Sequence, residues 1–182
     1  MIDIAKRLID VDEYYKMAEV GILKPTDKVE LIQGEIIEIS PIGSKHASVV
    51  KRLSRNLNLM LEGQATIGVQ DPIRLDQNNE PEPDISVLKY KSDDYAEEHP
   101  NAEDALILIE VSETTLQYDK EVKSNLYAKY LIPILWIIDI KRNRIEVYSD
   151  SDGNEFLKKD VFGTAESIDI LDKSLAVSEI LH

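Results

Sequence analysis

The chain has 182 residues, 43% of them hydrophobic and 31% charged, the balance of a globular protein with one substantial core and too little length for two ordinary domains. Thirty-five acidic against 21 basic residues leave a formal net charge of -14, and a surface of that sign repels phosphate unless its basic residues are segregated. Cysteine is absent, which excludes disulfides and thiolate metal sites. No apolar run approaches the roughly 20 residues of a membrane span, and the start Met1 to Arg7 lacks a signal-peptide core, so a cytoplasmic location away from membranes is the expectation.

In chain order, Asp10 followed three residues later by Glu13 spells a capping box, which opens a short helix over Val11 to Val20 that Gly21 can close. Lys28 to Ser40 alternates apolar and polar residues on both sides of Gln33-Gly34, as a hairpin does, and Pro41 and Gly43 end it. From Ser44 to Leu61, Val49, Val50, Leu53, Leu57, Met60 and Leu61 recur at helical spacing, with basic residues on the other faces. Strand-like runs follow at Thr66 to Leu75, Ile85 to Leu88 and Ala105 to Val111, the last apolar for its first five residues and so expected at the centre of a sheet covered on both sides. The stretch between the last two is acidic, with Asp93, Asp94, Glu97, Glu98, Glu103 and Asp104, and reads as an exposed connection. A second core helix is expected from Tyr118 to Tyr130, stopping before Pro133. Ile134 to Ile140 and Arg144 to Tyr148 read as strands around Lys141-Arg142-Asn143. The tail adds short strands near Glu155 to Val161 and Ser167 to Ile170 and a terminal helical turn.

Two carboxylates stand out. Asp84 opens the run Pro83-Asp84-Ile85-Ser86-Val87 and Glu110 lies inside Ile107-Leu108-Ile109-Glu110-Val111-Ser112, where a charged side chain is costly unless compensated. If the two runs pair antiparallel, a register that sets Leu88 opposite Leu106 also sets Asp84 opposite Glu110, with both side chains leaving one face. Bare carboxylates so placed repel each other, and a hard divalent cation removes the conflict. Taken singly, each residue has a plainer use: Asp84 after proline suits a turn, and Glu110 needs only a counter-ion. Three basic clusters are visible, at Lys45, His46, Lys51, Arg52 and Arg55, at Lys120, Lys123 and Lys129, and at Lys141, Arg142 and Arg144; ordinary solvated charge explains each about as well as phosphate binding.

Pro83-Asp84 followed by Glu110-Val111-Ser112 resembles the PD-(D/E)XK nuclease signature with serine where lysine usually stands. The order of Glu110-Val111-Ser112-Glu113-Thr114-Thr115, Asp119-Lys120-Glu121-Val122-Lys123, Leu126-Tyr127-Ala128 and Ile134-Leu135-Trp136-Ile137-Ile138-Asp139 is similar to that of the Uma-two family of restriction-endonuclease-like nucleases. Val29 to Ile36 and Ser40 to His46 extend the resemblance over most of the chain. It implies an α/β (α+β) fold: a restriction-endonuclease-like core with a mixed central sheet flanked by helices. Residues 1–182 are then a single domain, with an N-terminal helix and hairpin (1–43), a core (44–149) and a short C-terminal β extension (150–182).

In that family a lysine on the helix after the second acidic strand takes the place of the missing one, and it matches Lys123. The resemblance therefore implies a catalytic set of Asp84, Glu110 and Lys123, with Mg2+ (or Mn2+) held by Asp84, Glu110 and the backbone carbonyl of Val111. DNA is the implied substrate, cut by a metal-dependent endonuclease for which a homodimer is the natural assembly. Glu30 and Glu35 both match acidic positions, and Glu35 is favoured as an accessory residue; His46 near a helix start and Gln70 in a strand are the others. Asp119 is read as a cap, and Tyr127 and Trp136 as core residues. The competing expectation is a catalytically silent acidic protein that binds a basic partner or imitates DNA on a nuclease fold.

Overall fold

The computed structural model describes residues 6–39 and 42–182; the expected last hairpin residue, Ser40, and Pro41, the first of the two residues expected to end it, lie outside them. Helix α1 (Val11–Glu19) begins as its sequence spells: Asp10 Oδ1 accepts the Glu13 N–H at 2.8 Å, and Glu13 Oε2 accepts the Asp10 N–H at 3.3 Å. Strands β1 (Val29–Ile32) and β2 (Glu35–Glu38) pair with Ile32 opposite Glu35. Gln33 and Gly34 form the two-residue turn, both left-handed at φ 52° and 74°, the geometry that matches the twist of a hairpin.

The central sheet has six strands in the order β3-β4-β5-β6-β7-β8: β3 (Ala65–Gly68), β4 (Ile85–Lys89), β5 (Ala105–Ser112), β6 (Ile134–Asp139), β7 (Arg144–Ser151) and β8 (Phe156–Gly163). All neighbours are antiparallel except β5 and β6. Parallel neighbours need a crossover, and the chain between them makes it as a helix laid on the sheet. That helix has three parts: α3 (Leu116–Tyr118), a π turn (Asp119–Lys123) and α4 (Ser124–Lys129). The Ser124 N–H reaches back five residues to the Asp119 carbonyl, so one residue is inserted into the α-helical ladder. The left-handed Leu131 at φ 56° and then Pro133 end it.

Each face of the sheet has its own core. Helix α2 (Ser44–Met60) buries Val49, Val50, Leu53 and Leu57 against Ile85, Ile107, Ile109 and Trp136. At about 1.5–3 kcal/mol per buried aliphatic side chain, those four contribute up to roughly 6–12 kcal/mol. The tail hairpin β9 (Ser167–Ile170) and β10 (Lys173–Ala176) adds Ile168, Ile170 and Leu175 to the same core. On the other face Leu126, Tyr127 and Ile132 pack on Leu108, Leu135 and Ile137.

Three details differ from the sequence reading. The run Thr66 to Leu75 is not one strand: β3 stops at Gly68, because Gln70 turns left-handed at φ 55° and Pro72 has no N–H to donate. The register of β4 with β5 is Ile85↔Ile109 and Val87↔Ile107, but a bulge sets Leu88 against Ala105 instead of Leu106. Asp84, on the far side of that bulge, keeps its place beside Glu110, one step past the last pair. Finally, the first strand of the C-terminal extension belongs to the core, since β8 pairs along β7 as the sixth strand of the central sheet.

Candidate active site

Where β4 begins and β5 ends, the loops and the hairpin enclose a cleft of about 590 Å³. Asp84, Glu110, Val111, Lys123, His46 and Gln70 all line it. Asp84 is fixed from three elements: Oδ2 accepts the Val111 N–H at 2.9 Å and lies 2.9 Å from His46 Nε2 on α2, while Gln70 Nε2 donates to Oδ1 at 3.1 Å. The left-handed turn at Gln70 brings this about, since its N–H also donates to the Asp84 carbonyl at 3.2 Å. Burial alone would lower the His46 pKa, but the hydrogen bond and charge of Asp84, with Glu113 and Asp119 beyond, raise it above its ordinary value.

Glu110 is 3% exposed and lies under the crossover helix. The Tyr127 hydroxyl donates to its Oε1 at 2.7 Å and Lys123 Nζ stands 3.2 Å from the same oxygen, so both contacts fall on one side of the carboxylate. Burial pushes Glu110 up to about 8, with Lys123 pulling the other way and Asp119 and Asp84 adding to the rise. Lys123 is 6% exposed. Desolvation works against its charge, yet Glu110, Glu30 and Asp119 outweigh it and hold the ammonium protonated. A lysine expected from its type to be solvent-exposed is thus carried into the sheet by the π turn.

The hairpin delivers a carboxylate that the sequence reading ranked second. Glu35, the favoured member of the pair, is half-exposed and tied to Lys6 at 2.7 Å, and it does not line the cleft. Glu30, at 2% exposure, lies 3.1 Å from Lys123 Nζ and accepts the Glu82 N–H at 3.1 Å. Asp119 is also more than a cap. It is 4% exposed and its Oδ2 accepts from Ser112 Oγ at 2.6 Å and from Thr115 Oγ1 at 2.8 Å, which locks the start of the π turn to the end of β5. Burial raises its pKa against those hydrogen bonds. The signal for Asp119 was present in the chain as Ser112, Thr115 and Asp119 at short spacing; for Glu30 over Glu35 there was none, because both stand in short alternating strands.

Among the described residues no three His, Asp or Glu side chains converge into a ready-made cage for a metal ion. The donor set nevertheless suits a hard cation. Magnesium is commonly held by one or two carboxylates with water and phosphate completing its octahedron, and Asp84, Glu110 and the Val111 carbonyl are oxygen donors of that kind. The raised Glu110 marks a dry carboxyl whose charged form Lys123 alone does not fully support, and which a bound cation would favour.

A mixed sheet between helices, with paired carboxylates and a lysine at one end of its central strands, is the architecture of restriction-endonuclease-like nucleases. The chain belongs to the Uma2 family, described as "Putative restriction endonuclease", which it matches over residues 11–177. Its fold is similar to that of the crystal structure of "a putative nuclease belonging to DUF820 from Anabaena variabilis ATCC 29413", with a TM-score of 0.73 and 18% identity over 94% of this chain and 97% of that one. No curated protein matches. Among the described residues no helix is long and apolar enough to cross a membrane.

Proposed function

We propose that the protein is a magnesium- or manganese-dependent endonuclease that hydrolyses phosphodiester bonds in DNA. The observation that carries this reading is the delivery of Lys123 Nζ to 3.2 Å from Glu110 and 3.1 Å from Glu30, inside a cleft that Asp84 also lines. An amine so placed supplies the group that Ser112 lacks at the end of β5.

Asp84, Glu110 through the Oε2 that neither Tyr127 nor Lys123 engages, and the Val111 carbonyl would hold the cation. When bound it supplies a polarised phosphoryl oxygen and a water acidic enough to attack near neutral pH. The residues of the chain do the rest. Lys123, kept as an ammonium by its carboxylate neighbours, orients the attacking water and meets the negative charge that grows on the phosphate. Tyr127 holds Glu110 in place by its hydrogen bond, and His46 and the Val111 N–H fix Asp84. The expected homodimer and cytoplasmic setting belong to the same reading, since two symmetric clefts serve the two strands of a duplex.

The test is cleavage of single-stranded, duplex and supercoiled DNA with magnesium or manganese at low salt, by the wild type and by Asp84→Ala, Glu110→Ala and Lys123→Ala. Cation-dependent cleavage lost in all three variants is the expected result. A second reading, a silent acidic binding protein, draws on the net charge of -14 and on the absence of a three-residue cage among the described residues. It gains if the wild type does not cut and calorimetric titration with manganese shows no binding.

A further inference from the structure

Beyond the cleft, on the sheet face that the crossover helix covers only in part, lies a second ionic cluster that the proposed hydrolysis does not use. Glu146 on β7 and Asp139 on β6 are dry, at 0% and 1% exposure. Glu146 is met by Lys159 Nζ at 2.7 Å, Lys120 Nζ at 2.8 Å, Arg144 Nη2 at 2.5 Å and the Tyr148 hydroxyl at 2.6 Å. Asp139 is met by Arg142 Nη1 at 2.9 Å and Arg144 Nε at 3.6 Å. Burial alone would raise the Glu146 pKa; the hydrogen bonds from Lys120, Lys159 and Tyr148 outweigh it and hold the carboxyl at about 2.

Charge in this cluster is sorted by depth. The two carboxylates form the floor, while the cations above keep 60% (Arg142), 42% (Lys159), 33% (Arg144) and 27% (Lys120) of their side chains exposed. Four cations less two anions leave an excess of two positive charges, and only the positive layer meets solvent. Lys158 and Asp160 alternate to the opposite face of β8 and do not dilute it. On a chain of net charge -14 this is a local reversal of sign.

The cluster is also joined to the cleft. Ser112 pairs with Asp139, and Asp139 with Arg144, so the basic layer starts two strands away from β5, whose Glu110 and Val111 line the cleft. Two strand spacings, about 10 Å, separate Ser112 from Arg144. Lys120 and Lys123 belong to the same π turn, one reaching the cluster and the other the cleft.

We infer that Lys120, Arg142, Arg144 and Lys159 form a phosphate track for the nucleic-acid strand that leaves the cleft, holding its backbone without reading its bases. The inference rests on the nuclease reading of the cleft. The buried carboxylates fix the cations in position, so the track is set before the strand arrives, and each phosphate bound releases counter-ions.

The experiment is fluorescence anisotropy of labelled, cleavage-resistant phosphorothioate DNA at fixed magnesium, with monovalent salt raised from low to moderate, for the wild type, Arg142→Gln, Lys159→Gln, their double variant and Lys89→Gln. Lys89 is exposed at the end of β4 opposite to Asp84, away from both the cleft and the track. The expected result is a salt slope shallower by about 0.9 for duplex, or 0.7 for single strands, per contact removed. The double variant should lose the sum, Lys89→Gln should match the wild type, and circular dichroism melts should show all of them folded. Equal slopes in all variants on a wild type that binds and cuts DNA would overturn the track and leave the cleft reading intact. A wild type that binds DNA at no salt concentration overturns the track together with the DNA reading of the cleft.

Discussion

Glu110 and Glu146 occupy one row of the central sheet: Glu110 pairs with Ile137, and Ile137 with Glu146, so the two buried carboxylates face the same helix about 10 Å apart. The helix answers each with its own lysine, Lys123 on Glu110 and Lys120 on Glu146. The three-residue spacing of those lysines, set within a turn that carries one extra residue, is what seats the helix on the sheet.

Deleting Glu121, an exposed residue of that turn, should therefore separate structure from activity. The ladder would return to α-helical spacing, and Lys120 and Lys123 could no longer both reach their carboxylates. The expected outcome is a chain that still folds, with a melting temperature lowered by about 5 °C or somewhat more, and no longer cleaves DNA. Full activity in the deletion variant would show that the π turn has no part in placing Lys123.

Lys123→Met leaves Glu110 and Glu30 buried without their cation. Removing one partner of a buried ion pair costs about 3–5 kcal/mol, so the urea midpoint should fall sharply along with cleavage. The double variant Lys123→Met/Glu30→Gln should regain part of the stability and none of the activity. Equal stability of the single variant and the wild type would mean that this ion triad does not tie the hairpin to the sheet.

The two hairpin glutamates should behave differently. Glu35→Gln loses only a half-exposed contact to Lys6 and should stay within about 0.5 kcal/mol of the wild type with unchanged cleavage. Glu30→Gln should cut cleavage about tenfold or more, because it removes one of the two carboxylates that position Lys123. Parallel cleavage assays on the two variants decide the point, and equal losses would contradict the geometry.

Glu146 makes acid stability a readout of the basic cluster. Its folded pKa of about 2 lies below the ordinary 4.5, so its contribution is fully present above about 4.5 and is lost as the pH falls toward 2. Wild type and Glu146→Gln should therefore differ most in urea unfolding near neutral pH and converge between pH 4.5 and 2. A gap that stays constant over that window would show that Glu146 is not held ionised by its neighbours.

Much of this site could be read from the chain, for identifiable reasons. The apolar run Ala105 to Ile109 and the acid pair sit on adjacent strands, where a period of two fixes both face and register, and the bulge at Leu88 falls where it cannot move Asp84. Lys123 was legible only through family resemblance, since an α-helical and a π-helical turn share the same residue types. Glu30 was ranked below Glu35 because its burial depends on Glu82 and Lys123, 52 and 93 positions away, which no local pattern encodes. Strand β8 reads as part of a C-terminal extension because Leu157-Lys158-Lys159-Asp160-Val161 shows no apolar-polar alternation, and in the sheet these five residues are exposed.

That same exposure bears on how two copies could meet. Strand β8 closes one end of the sheet with Lys158, Lys159 and Asp160 in its middle, and β3 closes the other with only four residues. Charges and brevity at the margins discourage a neighbouring chain from adding a strand. Both borders of the sheet are thus poor templates for a further strand, and the helical flanks and loops, where side chains and not backbone amides would decide a partner, are the freer surfaces.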